Sequence, residues 1–210
     1  MDTGKITAID CAKWFVSDSS VSNLKLQKLL YFAQLISLSK YKRPLFDDEI
    51  FAFENGCVVE SVRLDYNSRR LNAAEVSFTA KQIEVLKLTK EIFGNLDEKE
   101  LTEINHTHPT WSDAYNNWLK NGSRYRHRSC LVLISELLKN EVILMGKVLD
   151  AYKRRKELEM DSIVVNGVTF YYNSGELSLD EGILNKLREF PAEESAYSIY
   201  NDSNLGLMIM

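Results

Sequence analysis

The sequence predicts a mainly α-helical fold: a compact multi-helix domain around a central buried helix at about residues 23–39, with a small C-terminal α+β module containing a hairpin. Three observations lead there. Apolar residues recur at helical spacing through the first two thirds of the chain, and the breaks between these runs carry helix-capping residues. One run, Asn23 to Leu38, is apolar on two sides, as a helix packed between neighbours is. Past Asp161 the period shortens to two around an Asn-Gly pair. The expected organisation is a helical domain over 1–160 and an acidic appendage over 161–210.

In order along the chain, Ile9, Ala12 and Val16, with Trp14 and Phe15 beside them, form the stripe of a first helix over about Ile6 to Val16. Ser17-Asp18-Ser19-Ser20 breaks it, and Ser22 or Asn23 can cap the central helix. On that helix Lys25, Lys28 and Ser39 share one wedge, and Gln27 and Gln34, seven apart, share a second. Leu26, Leu29, Ala33 and Ile36 cover one side; Leu24, Tyr31, Leu35 and Leu38 cover the other. Asp47-Asp48-Glu49 suits the first turn of a helix. Gly56 permits a positive φ or a close backbone approach, after which Val58, Val59 and Val62 begin a further helix reaching about Tyr66. Thr79 with Gln82, and Asp97 with Glu100, form capping boxes. The first opens a helix with Ile83, Leu86 and Phe93 that Gly94 stops; the second opens a short helix through Leu101 and Ile104. Pro109 and Thr110 open another at Trp111, and a long helical stretch runs from about Ser135 to Met160, ending in Lys153-Arg154-Arg155-Lys156.

In the appendage, "SIVVNGVTFYY" is a hairpin turning at Asn166-Gly167, the preferred pair for a type I′ turn. Asn173-Ser174-Gly175 turns the chain again. A short helix from about Glu181 to Glu189 follows, and then "AYSIY" and "LGLMIM" as a further pair of strands.

Composition narrows the function classes. No window approaches 18 uninterrupted apolar residues, so no membrane span is expected. The first residues lack the basic-then-apolar pattern of a signal peptide. Three scattered cysteines, Cys11, Cys57 and Cys130, suggest a reducing, cytoplasmic home. The net charge of -4 is unlike that of a nucleic-acid polyelectrolyte, but it is unevenly spread. Residues 119–156 hold 10 Lys/Arg and 3 Asp/Glu, and residues 157–210 hold 2 and 10. Either the two segments lie against each other or one of them faces a partner of opposite charge.

Chemical motifs are sparse. Cys57 near a helix N-terminus, taken with His106, could make a Cys–His nucleophile, but no Gly-rich oxyanion motif lies nearby. His106 and His108, with His127, Cys57 or Cys130, could supply metal ligands, yet no C-x-x-C or H-x-x-x-H spacing supports this. His106 reads instead as a helix-end hydrogen bonder and Trp111 as a core residue. No phosphate loop, dinucleotide fingerprint or G-x-S-x-G is present. No catalytic residue, metal or cofactor is therefore expected. Gln27 and Gln34 pose an either/or: a satisfied structural pair, or a stripe lining a groove.

Four segments together resemble a known family: "LKLQKLLYFAQ" (Leu24 to Gln34), Pro44-Leu45-Phe46, "FAFENGCVVESV" (Phe51 to Val62) and "LTEINHTHPTW" (Leu101 to Trp111). In this order they resemble the Panacea domain of the SocA-like antitoxins over roughly residues 5–150. The resemblance implies a protein-binding, toxin-neutralising role, often in prophage-associated elements, and does not imply catalysis. The chain departs from the pattern at Gly56-Cys57-Val58, where the family has Gly-Pro-Val; at Phe53 and Asn55, where it has Trp and Tyr; and at Asn105-His106, where it has Thr-His. A proline in place of Cys57 could do no nucleophilic chemistry. The appendage lies outside the resemblance.

The expected function is that of a cytoplasmic, non-enzymatic antitoxin that masks the working surface of a cognate toxin protein. The expected contact residues are Gln27, Lys28, Tyr31 and Gln34 on the central helix, Phe53, Gly56, Cys57 and Val58 in the following loop, and His106, Trp111 and Tyr115 beyond it. Two alternatives stand beside it. One is a DNA-binding regulator, using Arg124, Tyr125, Arg126 and Arg128 on phosphates and bases. The other is an adaptor that presents a bound protein to a protease. Oligomeric state is not legible.

Overall fold

The computed structural model describes residues 6–17, 21–68, 71, 76–121, 129–158, 160–202 and 206–210. It divides into two compact units, Met1–Leu149 and Asp150–Met210. Unit 1 contains α1 (Ala8–Ser17), α2 (Asn23–Tyr41), β1 (Ile50–Phe53), β2 (Gly56–Val59), α3 (Glu60–Asn67), α4 (Ala80–Phe93), α5 (Glu98–His106), α6 (Pro109–Asn121), β3 (Leu131–Val132) and α7 (Ile134–Asn140). The division between units falls within α8 (Val142–Leu158). Unit 2 continues with β4 (Asp161–Val165), β5 (Val168–Tyr172), α9 (Glu181–Glu189), β6 (Ala196–Asp202) and β7 (Gly206–Ile209).

α2 is the axis of unit 1. Every residue from Leu26 to Leu38 is buried, polar ones included. Its two apolar sides pack against α1, α3, α4, α5, α7 and β2, which accounts for a helix without a solvent face. Phe32 of α2 stacks on Phe93 of α4 with centroids 4.2 Å apart. Ser22 caps α2 by accepting from Lys25 N at 3.2 Å, and the chain leaves through Lys42 in the left-handed region at φ 55. The capping boxes of Thr79–Gln82 and Asp97–Glu100 are both formed. Among the described residues no helix is long and apolar enough to cross a membrane.

Four expectations need correction. The first two thirds are not helical throughout: β2, β1 and β3 form an antiparallel three-stranded sheet in that order, with Phe53 opposite Gly56. β1 and β2 are four residues each and buried on both faces, so no alternation betrays them. For the same reason Val58 and Val59 belong to a strand, and α3 begins only at Glu60. Asp47-Asp48-Glu49 opens no helix of its own; Asp48 accepts instead from Ala8 N, in the first turn of α1, at 2.9 Å. The stretch from 135 onward is two helices broken at Glu141. That carboxylate is buried and accepts from the backbone N–H and the hydroxyl of Thr110 at 2.9 and 2.7 Å, serving the start of α6.

Unit 2 is a mixed four-stranded sheet in the order β4-β5-β6-β7. The β4–β5 hairpin turns through Asn166 at φ 52 and Gly167 at φ 83, both positive as a type I′ turn requires. β5 and β6 are parallel, joined through α9; β6 and β7 are antiparallel. Val165, Phe170, Leu177, Leu187 and Ile199 form the core of this unit.

Candidate functional site

The site is the two-residue turn Glu54-Asn55 between β1 and β2, together with what holds it. Gly56 closes the turn at φ 95, where an L-residue is strained, and a Cβ there would collide with Asn105 Oδ1 and Lys28 Nζ. Three successive backbone carbonyls at the turn are each taken by a side chain from a different helix. Trp111 Nε1 (α6) donates to Phe53 O at 2.9 Å, His106 Nε2 (α5) donates to Glu54 O at 3.1 Å, and Lys28 Nζ (α2) donates to Asn55 O. The backbone of the turn is thus tied inward, while Glu54 and Asn55 are exposed and Phe53 is half-buried.

Beneath the turn lies a buried polar cluster. Asn105 Oδ1 accepts from Cys57 N at 2.5 Å and from Lys28 Nζ at 3.4 Å, and Asn105 Nδ2 donates to Cys57 Sγ at 3.5 Å. Gln27 Oε1 accepts from Val59 N at 2.8 Å, pinning β2 to α2. Burial pushes the Cys57 thiol up to about 12, so it carries no thiolate at neutral pH. Burial also lowers Lys28 to about 8. Tyr31 OH and His108 Nδ1 are 2.8 Å apart; burial lowers His108 to about 4, so its imidazole is neutral and can accept the phenol proton.

Two surfaces flank the turn. On one side the rings of His106, Trp111 and Tyr115 form a half-buried ladder, His106 stacked on Trp111 at 4.0 Å and Trp111 on Tyr115 at 5.3 Å. Trp111 and Tyr115 are one helical turn apart, which brings their rings onto one face of α6. On the other side is a cavity of about 350 Å³ with an apolar floor of Leu24, Phe53 and Val58 and polar walls that include Asn55 and Arg63. The Arg63 guanidinium lies 5.8 Å from the Phe53 ring centroid.

The structure therefore gathers most of the expected residues into one region, in two layers. Phe53, His106, Trp111 and Tyr115 reach the surface. Gln27, Lys28, Tyr31, Gly56, Cys57 and Val58 are buried behind them. Gln34 lies elsewhere: its amide donates to Phe46 O at 3.0 Å and accepts from Leu45 N and Phe46 N at 2.8 and 3.3 Å, stapling the Pro44-Leu45-Phe46 turn to α2. His106 is indeed a helix-end hydrogen bonder. Trp111 is half-buried and not a core residue. Arg124, Tyr125, Arg126 and Arg128 lie outside the described residues. Among the described residues no group of three or more His, Cys, Asp or Glu side chains could hold a metal ion. Asn105, Glu54, Asn55, Leu24 and Arg63 belong to the region without having been singled out. The departures from the resembling pattern at Asn55 and at Asn105 are the sequence signals that point at two of them.

A family model described as antitoxin SocA-like, Panacea domain, matches residues 26–112. That span runs from α2 into the start of α6 and contains all three side chains that hold the turn; Tyr115 and unit 2 lie beyond it. No curated protein and no solved structure matches the chain.

Proposed function

We propose that the protein is an antitoxin which binds a cognate toxin protein and neutralises it by covering its working surface; the match of residues 26–112 to the Panacea domain of SocA-like antitoxins supports this reading. The observation that carries the masking part of this reading is the triple capture of the carbonyls of Phe53, Glu54 and Asn55. A turn held from three helices is ordered before a partner arrives, so little conformational freedom is lost on binding. It presents Glu54 and Asn55 at a crest between an aromatic ladder and an apolar cavity. Aromatic residues around a pocket are the usual anchors of a protein interface. The buried layer sets the geometry of this crest, and the exposed layer touches the partner. No enzymatic activity is part of the reading: Cys57 is buried, protonated and bonded to Asn105.

The test is co-expression with each reading frame that flanks the gene. One of them should arrest growth alone, be tolerated with this protein, and co-purify with it. Glu54→Arg and Trp111→Ala should lose protection while the protein stays folded by circular dichroism. If no flanking product is neutralised, the antitoxin reading fails. If both variants protect as well as wild type, masking through this crest fails.

A further inference from the structure

Away from the turn, a cavity of about 640 Å³ lies between the end of α2, the Arg43–Asp47 segment and the start of α4. It shares no lining residue with the cavity beside the turn. Its floor is apolar: Ile6, Leu45, Phe46 and Val85 are buried there. Its wall is fixed by the fold. Gln34 holds the backbone of Leu45 and Phe46 through three hydrogen bonds, and Ser37 Oγ donates to Arg43 O at 2.8 Å. A preformed, largely apolar cavity of this size with a few polar groups is the usual form of a small-molecule site.

The polar groups of the lining set the charge of the occupant. Arg43 and Lys81 both line the cavity, and neither side chain forms an ion pair or a hydrogen bond among the described residues. Lys81 Nζ lies 5.2 Å from the Tyr41 ring centroid. Glu84, three residues along α4, is already taken by Lys40 at 2.9 Å and by the Tyr41 hydroxyl. Asp47 is the one carboxylate of the lining, and it has an interaction of its own. The capping box uses the N–H groups of Thr79 and Gln82. It leaves those of Ala80 and Lys81 without a partner among the described residues, at the positive end of a 14-residue helix, and both residues line the cavity. Two unpaired cations and two unpaired amides thus stand around an apolar floor, against one carboxylate. We propose that this cavity binds a small amphipathic anion, an apolar body carrying one carboxylate, sulfonate or phosphate group, with the body on the floor and the anion toward Arg43, Lys81 and the start of α4. The proposal does not depend on the toxin-masking reading, which concerns the turn.

The test titrates the full chain with 8-anilinonaphthalene-1-sulfonate, followed by its fluorescence, and with N-phenyl-1-naphthylamine as the uncharged counterpart. The sulfonate should bind saturably, and the neutral probe should bind more weakly by about tenfold or more. Arg43→Glu and Lys81→Glu should each weaken sulfonate binding by about fivefold or more. Both variants should melt as wild type does, because both side chains are exposed. Lys99→Glu, which reverses an exposed cation outside the lining, should leave binding unchanged. The proposal is overturned if the sulfonate shows no saturable binding, or if the neutral probe binds as tightly. It is equally overturned if Arg43→Glu and Lys81→Glu bind as wild type does, or if Lys99→Glu weakens binding as much as they do.

Discussion

Trp111 Nε1 donates to the carbonyl oxygen of Phe53 at 2.9 Å, across 58 residues of sequence. The bond ties α6 to the end of β1 and orients the indole so that His106 and Tyr115 can stack on either side of it. It joins the fold of unit 1 to the surface proposed above to meet a partner, and it can be removed while an aromatic ring is kept.

Trp111→Phe keeps an aromatic ring but deletes the donor. The Phe53 carbonyl then loses that donor, which costs about 1 kcal/mol. Urea denaturation should show a loss of that order, and amide exchange in the 53–56 turn should quicken. Unchanged exchange would mean that Lys28 and His106 hold the turn without help from Trp111.

Gln34→Leu should be far more costly than its near-isosteric volume suggests. It strands Leu45 N, Phe46 N and Phe46 O in a buried turn. At about 1–3 kcal/mol for each unpaired buried group, a loss of roughly 3 kcal/mol or more is expected by chemical denaturation. A loss below about 0.5 kcal/mol would show that the Pro44-Leu45-Phe46 turn re-pairs its backbone without Gln34. Gln27, which holds Val59 N, is a structural staple of the same kind.

Lys28 makes stability depend on alkaline pH. Its pKa is lowered from 10.5 to about 8 in the fold, chiefly by burial. Between those values the unfolded chain binds more protons than the native one, so stability rises with pH through this window and is lost again as pH falls through about 8. The shift corresponds to about 3 kcal/mol. The measurement is the difference in unfolding free energy between wild type and Lys28→Met from pH 7 to 10.5, which cancels other titrating groups. A difference that stays flat with pH would show that Lys28 keeps an ordinary pKa. Because the side chain is fully buried, Lys28→Glu is expected to unfold unit 1, contrary to what a solvent-facing wedge on α2 would allow.

Gly56→Ala should destabilise by more than about 2 kcal/mol, because it combines a left-handed φ with a Cβ directed at Asn105 and Lys28. Asn105→Ala in the same background removes one of the two obstacles. The double variant should then recover part of the loss, as a non-additive cycle in thermal unfolding. Strict additivity would place the whole cost in the backbone conformation.

What the sequence determined by itself is what depends on neighbours three or four residues away. The caps at Ser22, Thr79–Gln82 and Asp97–Glu100 and the Asn166-Gly167 turn are local choices, and their residue types specify them. The burial of α2 was legible too, because two apolar sides leave a helix no solvent face. The tertiary structure alone decided where the polar groups of that helix go. Gln27, Lys28 and Gln34 carry the same signal in sequence whether they line a groove or staple a turn. Their partners are fixed only once Val59, Asn105 and Phe46 are brought to them from 12 to 77 residues away. The hairpin of β1 and β2 escaped for a related reason: strands of four residues, buried on both sides, show no period, and their pairing is settled by the helices that close over them. The surface crest exists only as their product, since its three captured carbonyls answer to side chains on three separate helices.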